Sequence, residues 1–403
     1  MAGMVSLVGI GMGTKDTLTK EAGDILEDCE ILIGASRMLA LVPERILENV
    51  KIFQEYRAEE IASFLRQQKF EKAAVLLSGD SGFYSGAKKL LEKLSDFQTA
   101  VIPGISSVSY FCSRLKCAWE DVCLVSLHGK KCNVISNIRT HEKVFCLMDG
   151  SRGLKELCEK LLYYGMKDVR LFVGTRLSYP EERIRSGTPE EFLKFEEENL
   201  LVLLVENPAH QKKVGSSIPD EAFIRGEVPM TKEVVRMVSI GKMKLEKDSI
   251  VYDVGAGTGS VSVEMALVHP EIMVYAIEKK EAAISLLVEN KRKFCADNIE
   301  IIHGTAPEAI EGLPCPTHVF IGGSSGKIGE ILECIFKKNP MCQVVANIIA
   351  LNTLTDFMEF CHFHPEYETE LIQLQASVSK KLGEYQMMLG QNPVYVVQIW
   401  KKW

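Results

Sequence analysis

Several features are missing from this chain of 403 residues. No Cys-x-x-Cys pair occurs among its twelve cysteines, and the nearest neighbours are Cys112, Cys117 and Cys123. That removes the usual spacing of a structural zinc site, so no metal is expected. The opening MAGMVSLVGI lacks the basic stretch and long apolar core of a secretory signal peptide. A cytoplasmic, reducing compartment with free thiols is expected instead. No run approaches the ~18 apolar residues that a membrane span requires, so no membrane partner is expected. Nor is there an excess of positive charge: the formal net charge is −7. That argues against a general nucleic-acid binder, which carries a basic surface. A small anionic substrate held by a few placed arginines or lysines remains compatible with it. Internal repeats and low-complexity tracts are absent too.

What is present fits a two-domain globular enzyme. The length exceeds one ordinary core, and 46% hydrophobic with 25% charged residues is the composition of a soluble protein. Short apolar, β-rich runs alternate with amphipathic ones through both halves. The first half has VSLVGIG, CEILIGA, KAAVLLSG, FQTAVIPG, DVCLVSLHG, KVFCLMDG, DVRLFVGTRL and NLLVLLVEN, separated by stretches such as GLKELCEKLLYYG. This alternation predicts an α/β fold with buried, largely parallel strands. The pattern breaks at ENPAHQKKVGSSIP (206–219), a Pro-, Lys- and Ser-bearing stretch without apolar period. It predicts domains over 1–207 and 218–403 with a linker at 208–217. The alternation then restarts with SIVYDVG, MVYAIEK, NIEIIHG, THVFIGG and CQVVANII. ETELIQLQASVS and NPVYVVQIW are read as an antiparallel hairpin finishing the second sheet.

Two glycine combs carry the chemistry. One is GIGMG, with Gly9, Gly11 and Gly13; the other is DVGAGTG, with Asp253, Gly255, Gly257 and Gly259. Glycine lets the chain turn sharply after a strand and approach a ligand closely. In the second comb the turn follows a strand, opens the helical SVSVEMALVH, and is followed by Glu278 at the end of the next strand. An acidic residue there can accept both hydroxyl hydrogens of a ribose. The spacing is GxGxG rather than the GxGxxG of dinucleotide sites. Asp253 ahead of it would repel a pyrophosphate but suits the ammonium of a methionine moiety.

That pattern resembles the first two motifs of class I methyltransferases. HGTAPE falls where the family wraps adenine, at Gly304, Thr305 and Ala306. IPDEAFIRGEVPMTKEVVR, GTAPE and FIGGSSGKIGEIL further resemble the decarboxylating precorrin carbon-15 methyltransferases of cobalamin biosynthesis, over about 218–400. His318 departs from the acidic residue that many class I enzymes carry there. GIGMG, LLSGDSGFY, VIPGISSVSYFCSRL, LVSLHGK and VGTRLSYPEERI resemble the tetrapyrrole methylases, specifically the precorrin carbon-5 type, over about 4–206. Here Met12 and Ser81 stand where that family has prolines, and Thr14-Lys15 displaces its first acidic position.

The resemblances imply a fold class: an N-terminal class III methylase of two α/β subdomains, then a C-terminal Rossmann-like class I domain with a mostly parallel seven-stranded sheet. They imply S-adenosylmethionine as cofactor in both halves. The substrate would be a corrin precursor, methylated at C-5 and C-15 with loss of the ring C acetate carboxyl. In the first half the cofactor cleft would take Met12, Ser78, Gly79, Asp80, Phe83, Ser106, Ser107 and Met148. In the second it would take Thr231, Asp253, Gly255, Gly257, Gly259, Glu278 and the 304–306 turn. Arg225, Asn347 and His128 are the candidate substrate contacts, with a surface ion pair or structural hydrogen bond as the plain alternative. A homo-oligomer is expected, since the related single enzymes assemble. The competing readings are an NAD-dependent oxidoreductase and a fusion with only one active methyltransferase domain.

Overall fold

A computed structural model describes residues 3–127, 132–148, 150–196, 201–211 and 217–402. Contacts divide them into two compact units. The first is drawn from Met1–His128, Lys143–Glu159 and Lys167–Pro208, the second from Gly129–Glu142, Lys160–Met166 and Ala209–Trp403. Among the described residues no helix is long and apolar enough to cross a membrane.

The first unit holds two five-stranded sheets. One is all parallel, in the order Lys51–Gln54, Ile31–Gly34, Lys72–Leu77, Met4–Gly9, Gln98–Ile102. Its interior strand Met4–Gly9 is apolar on both faces: Val5 and Leu7 pack into one cluster with Ile61 and Leu65, Val8 into another with Leu26 and Leu76. Continuous apolar strands of this kind are what a sheet covered on both sides demands. The second sheet runs Cys123–Ser126, Lys143–Leu147, Leu201–Glu206, Arg170–Thr175, Arg183–Gly187, and only its first pair is parallel. Lys51–Gln54 and Arg183–Gly187 are edge strands that the apolar pattern did not announce. Both are largely exposed, so neither needs a run of apolar residues.

The second unit carries a seven-stranded sheet ordered Ile299–His303, Met273–Glu278, Ile250–Val254, His318–Ile321, Gln343–Ile348, Val394–Lys401, Tyr367–Leu374. The first five are parallel, and Val394–Lys401 is antiparallel to both neighbours. The last two strands do pair as expected, but they are not joined directly. A separate two-stranded ribbon, Ser377–Leu382 with Tyr385–Gly390, intervenes and is exposed throughout. Strand order reverses between Ile250–Val254 and His318–Ile321, a switch point where open α/β sheets leave a crevice at their carboxyl ends.

The PMTKEVVR string ends in the brace of this unit. Arg236, on the helix Glu233–Met243, is fully buried. It donates to Asp220 Oδ1 at 2.7 Å and Glu264 Oε1 at 3.0 Å, and to the carbonyls of Ile218 and Thr231. Its guanidinium also lies 4.8 Å from the centre of the Phe223 ring. Truncation would leave carboxylates behind without their cation. Arg236→Ala is therefore expected to lower the unfolding free energy of the second unit by about 3–5 kcal/mol. Urea denaturation should show one transition moving to lower concentration while the other stays in place.

Candidate functional site

Each unit has a cavity at the carboxyl ends of its parallel strands. In the first unit it measures about 310 Å³. Gly11 (φ +64°) and Gly79 (φ +70°) pair at its wall through two backbone bonds, Gly11 N–H to Gly79 O at 3.1 Å and Gly79 N–H to Gly11 O at 2.9 Å. Met12, Ser78, Gly79, Phe83, Ser107 and Met148 all line the cavity, so the structure brings together six of the positions expected from the motifs. Two others fall outside the lining and have local work. Asp80 accepts from the backbone N–H of Gly82 at 2.8 Å and of Gly104 at 3.0 Å, which pins the turn. Ser106 caps the helix Ser107–Leu115 by accepting from Ser109 N–H at 3.2 Å. His128 lies outside the described residues. Arg176 of VGTRLSYPEERI, for which bracing the subdomain and touching substrate are equal expectations, lines the cavity too, as do Arg37, Met38, Tyr84 and Tyr179, to which no motif pointed. Tyr84 and Arg176 adopt left-handed backbone (φ +47° and +46°), a conformation that costs of order 1–3 kcal/mol and clusters at functional sites.

The second cavity measures about 330 Å³. Its three comb glycines differ in purpose. A Cβ on Gly255 (φ +75°) would stand 2.7 Å from the carbonyl oxygen of Gly323, so two backbones touch there. A Cβ on Gly259 (φ +76°) would stand 2.7 Å from Leu287 Cγ, so this glycine seats a helix and lies outside the lining. Gly257 (φ +57°) meets nothing closer than Pro229 O at 3.4 Å, and it lines the cavity. Its N–H donates to Glu278 Oε2 at 2.9 Å, while Glu278 Oε1 accepts from Lys279 and Lys280 N–H at 2.8 and 2.9 Å. A carboxylate has about four acceptor positions, so Glu278 is oriented by the backbone and keeps capacity for a ligand hydroxyl. Gly304, Thr305 and Ala306 line the same space, with Val228, Pro229, Ser324 and Ser325, which sequence reasoning missed. Lys279 Nζ reaches Ser325 Oγ at 2.8 Å. The cradle suits a nucleoside: an oriented carboxylate, a glycine without side chain, and a backbone wall.

Besides Gly259, four expected positions in this half stand away from the cavity. Asp253 is fully buried behind the turn, outside the lining, and the direct ligand contact expected of it needs correction. Its Oδ2 accepts from the Ser262 hydroxyl, and Oδ1 is buried without a partner among the described residues. Thr231 uses its carbonyl to hold Arg236. Arg225 donates from Nε to Asp220 O at 2.8 Å and lies 3.9 Å from Glu221, an exposed pairing. Asn347 accepts from Ser239 Oγ at 2.8 Å, and its Nδ2 is buried without a partner among the described residues.

Comparison with known proteins gives these cavities a context. Residues 4–193 match the family model of tetrapyrrole (corrin/porphyrin) methylases, and 221–401 that of the precorrin methyltransferase domain. A precorrin-6Y C(5,15)-methyltransferase (decarboxylating) of Sinorhizobium is 24% identical over 98% of this chain and 95% of its own length. A cobalt-precorrin-6B C(15)-methyltransferase (decarboxylating) of Salmonella typhimurium is 38% identical over 45% of this chain and 95% of its own length. A crystal structure of a precorrin-6Y C5,15-methyltransferase of Geobacter metallireducens shares 34% identity, with TM-score 0.44, over 46% of this chain and 96% of that one. The class that the family models and the curated relatives define is methyltransferase. More particularly, the chain belongs to the decarboxylating precorrin methyltransferase family.

Burial makes Asp253 a pH-sensitive point of the second unit. Desolvation pushes its carboxyl up from 3.8 to about 7; the Glu278 charge adds to this and the Ser262 hydroxyl opposes it. A raised folded-state value means that the folded chain binds the proton more tightly than the unfolded one. The stability so gained is full below about pH 4 and is lost as pH rises through about 7. At about 1.4 kcal/mol per pK unit, the loss is of order 4 kcal/mol. Asp253→Asn should remove this slope, so melting of the second unit should fall less between pH 5 and pH 8 in the variant. Parallel melting–pH curves for the two proteins would contradict it.

Proposed function

We propose that this chain methylates a precorrin at C-5 and C-15 and removes the carboxyl of the ring C acetate arm, with S-adenosylmethionine as methyl donor in both units. Residues 1–207 would carry the C-5 reaction and 218–403 the C-15 reaction with decarboxylation, joined by the linker 208–217. The observation that carries this reading is the presence, in each unit, of a glycine-built cavity at the carboxyl ends of parallel strands.

When bound, the cofactor supplies an electrophilic methyl on a sulfonium. The chain's part is to bind, orient and exclude water. In the second unit Glu278, already aligned by three backbone N–H groups, offers its remaining acceptor position to a ribose hydroxyl. The side-chain-free face of Gly257 leaves room beside it. Loss of carbon dioxide from the acetate arm leaves an electron-rich carbon, so no strong protein base is required and positioning dominates. In the first unit Met12, Phe83, Leu147 and Leu177 make the cleft apolar, and a dry cleft strengthens whatever charge interactions remain.

The chain would work in the cytoplasm as a homo-oligomer. Support for an oligomer comes from the exposed ribbon Ser377–Leu382 with Tyr385–Gly390. Cross-strand pairs Val378–Leu389, Lys380–Met387 and Leu382–Tyr385 put five apolar side chains on one face, each 42–75% exposed. A face of that kind is typical of surfaces that meet a partner.

The test is product analysis with methyl-labelled S-adenosylmethionine on metal-free and cobalt-bound precursors. Two labelled methyl carbons and one carbon dioxide per product are expected, and hydride chemistry with NAD instead would refute the proposal. Glu278→Gln should weaken cofactor binding in the second unit roughly 10- to 100-fold and suppress C-15 transfer while C-5 transfer persists.

A further inference from the structure

Resting on the reading of the first unit as a methylase of a polycarboxylate macrocycle, we infer that Arg37 is a carboxylate anchor, binding one acidic arm of the acceptor at the mouth of the cavity. Arg37 stands on the short helix Ser36–Leu39, directly after the strand Ile31–Gly34, and lines the cavity while remaining exposed. It has no hydrogen bond, ion pair or ring contact among the described residues. Every other arginine has a partner: Arg45, Arg57, Arg66, Arg114, Arg152 and Arg236 pair with carboxylates, Arg139, Arg170, Arg176, Arg185, Arg225 and Arg292 meet carbonyls, rings or nearby acidic groups, and Arg183 is engaged as well. Among the described residues an acidic chain of net charge −7 thus leaves the Arg37 guanidinium unpaired, and Arg37 lines this cavity.

The surroundings agree. Among the described residues no aspartate or glutamate lines the cavity, whereas Arg176 does, from the opposite sheet and on a left-handed backbone. The remaining wall is mostly apolar or neutral: Ile10, Met12, Met38, Leu41 and Phe83 beside Ser78 and Ser107. An apolar cleft with guanidinium groups at its edge and no competing carboxylate matches a flat, apolar macrocycle with acidic arms. The planar fork of an arginine fits a carboxylate in bidentate fashion, and such pairs are among the stronger hydrogen bonds. Fixing one arm would also select which macrocycle carbon faces the cofactor, a positioning effect. The exposed, unpaired side chain supports nothing else in the fold, so its removal should leave folding intact.

Arg37→Ala and Arg37→Lys in the full-length chain test this. The KM for the acceptor in C-5 methylation is expected to rise roughly 10- to 100-fold in the alanine variant, with a much smaller change in kcat. The lysine variant, which keeps the charge but not the fork, should fall between. Binding of S-adenosylmethionine, titrated without acceptor, should not change. Uroporphyrin, a tetrapyrrole with a carboxylate on every arm, gives a direct readout: its affinity should fall in Arg37→Ala and lose part of its dependence on ionic strength. Unchanged acceptor KM and unchanged uroporphyrin affinity would overturn the inference. So would a loss of S-adenosylmethionine affinity with uroporphyrin unaffected, which would assign Arg37 to the cofactor's own carboxylate. If the wild-type chain transfers no methyl to C-5, the functional reading of the unit fails, and the uroporphyrin comparison still decides on Arg37.

Discussion

Backbone-to-backbone contact at glycine is the constraint on which both cavities depend. In the first unit a Cβ on Gly104 would collide with the carbonyl oxygen of Gly79 and stand 2.8 Å from the carbonyl carbon of Gly9. Three segments following three parallel strands converge there without a side chain between them. In the second unit Gly255 meets Gly323 in the same way, with a Cβ on Gly255 placed 2.7 to 2.9 Å from Gly323 backbone atoms. Bringing strand ends this close exposes N–H and C=O groups to one small volume, which is how a cradle is built from backbone alone. One added methyl in either place forces strand ends apart, and the cavity they enclose changes with them.

Around that shared device the two units use opposite electrostatics. The second places acid at its turn: Glu278 at the cavity wall and Asp253 buried behind it, next to one another in effect, since the charge of Glu278 adds to what holds the Asp253 proton. The first has no acidic side chain in its described lining and arginines at its edge. Its one aspartate in the motif, Asp80, is turned inward to hold Gly82 and Gly104. One cavity therefore presents an oriented carboxylate, the other guanidinium groups with no acid in its described lining. Elsewhere a buried cation, Arg236, ties the entry segment of the second unit to Asp220 and Glu264.

Features set by local spacing were legible in the sequence. Buried parallel strands such as Met4–Gly9 and Ile250–Val254 announce themselves as apolar runs, and the glycine combs at their ends announce turns. Features set by partners distant in sequence were not. The edge strands Lys51–Gln54 and Arg183–Gly187 need no apolar pattern because one side faces water. The ribbon between Tyr367–Leu374 and Val394–Lys401 mixes polar and apolar residues across two faces, and so hides within a presumed loop. Asp253 and Gly259 read as ligand contacts because motif spacing says nothing about depth: one is screened by the turn it precedes, the other is filled by Leu287. Arg37 went unread for the converse reason, since being unpaired is a property only tertiary structure can reveal.

The central claim is that two cavities of unrelated fold in one chain hold the same cofactor. The most direct measurement is the number of S-adenosylmethionine molecules bound per chain, by equilibrium dialysis or calorimetry on the full-length protein. Two equivalents are predicted, with one lost on substituting Glu278 and the other retained. A single equivalent, or binding of NAD in its place, would contradict the account.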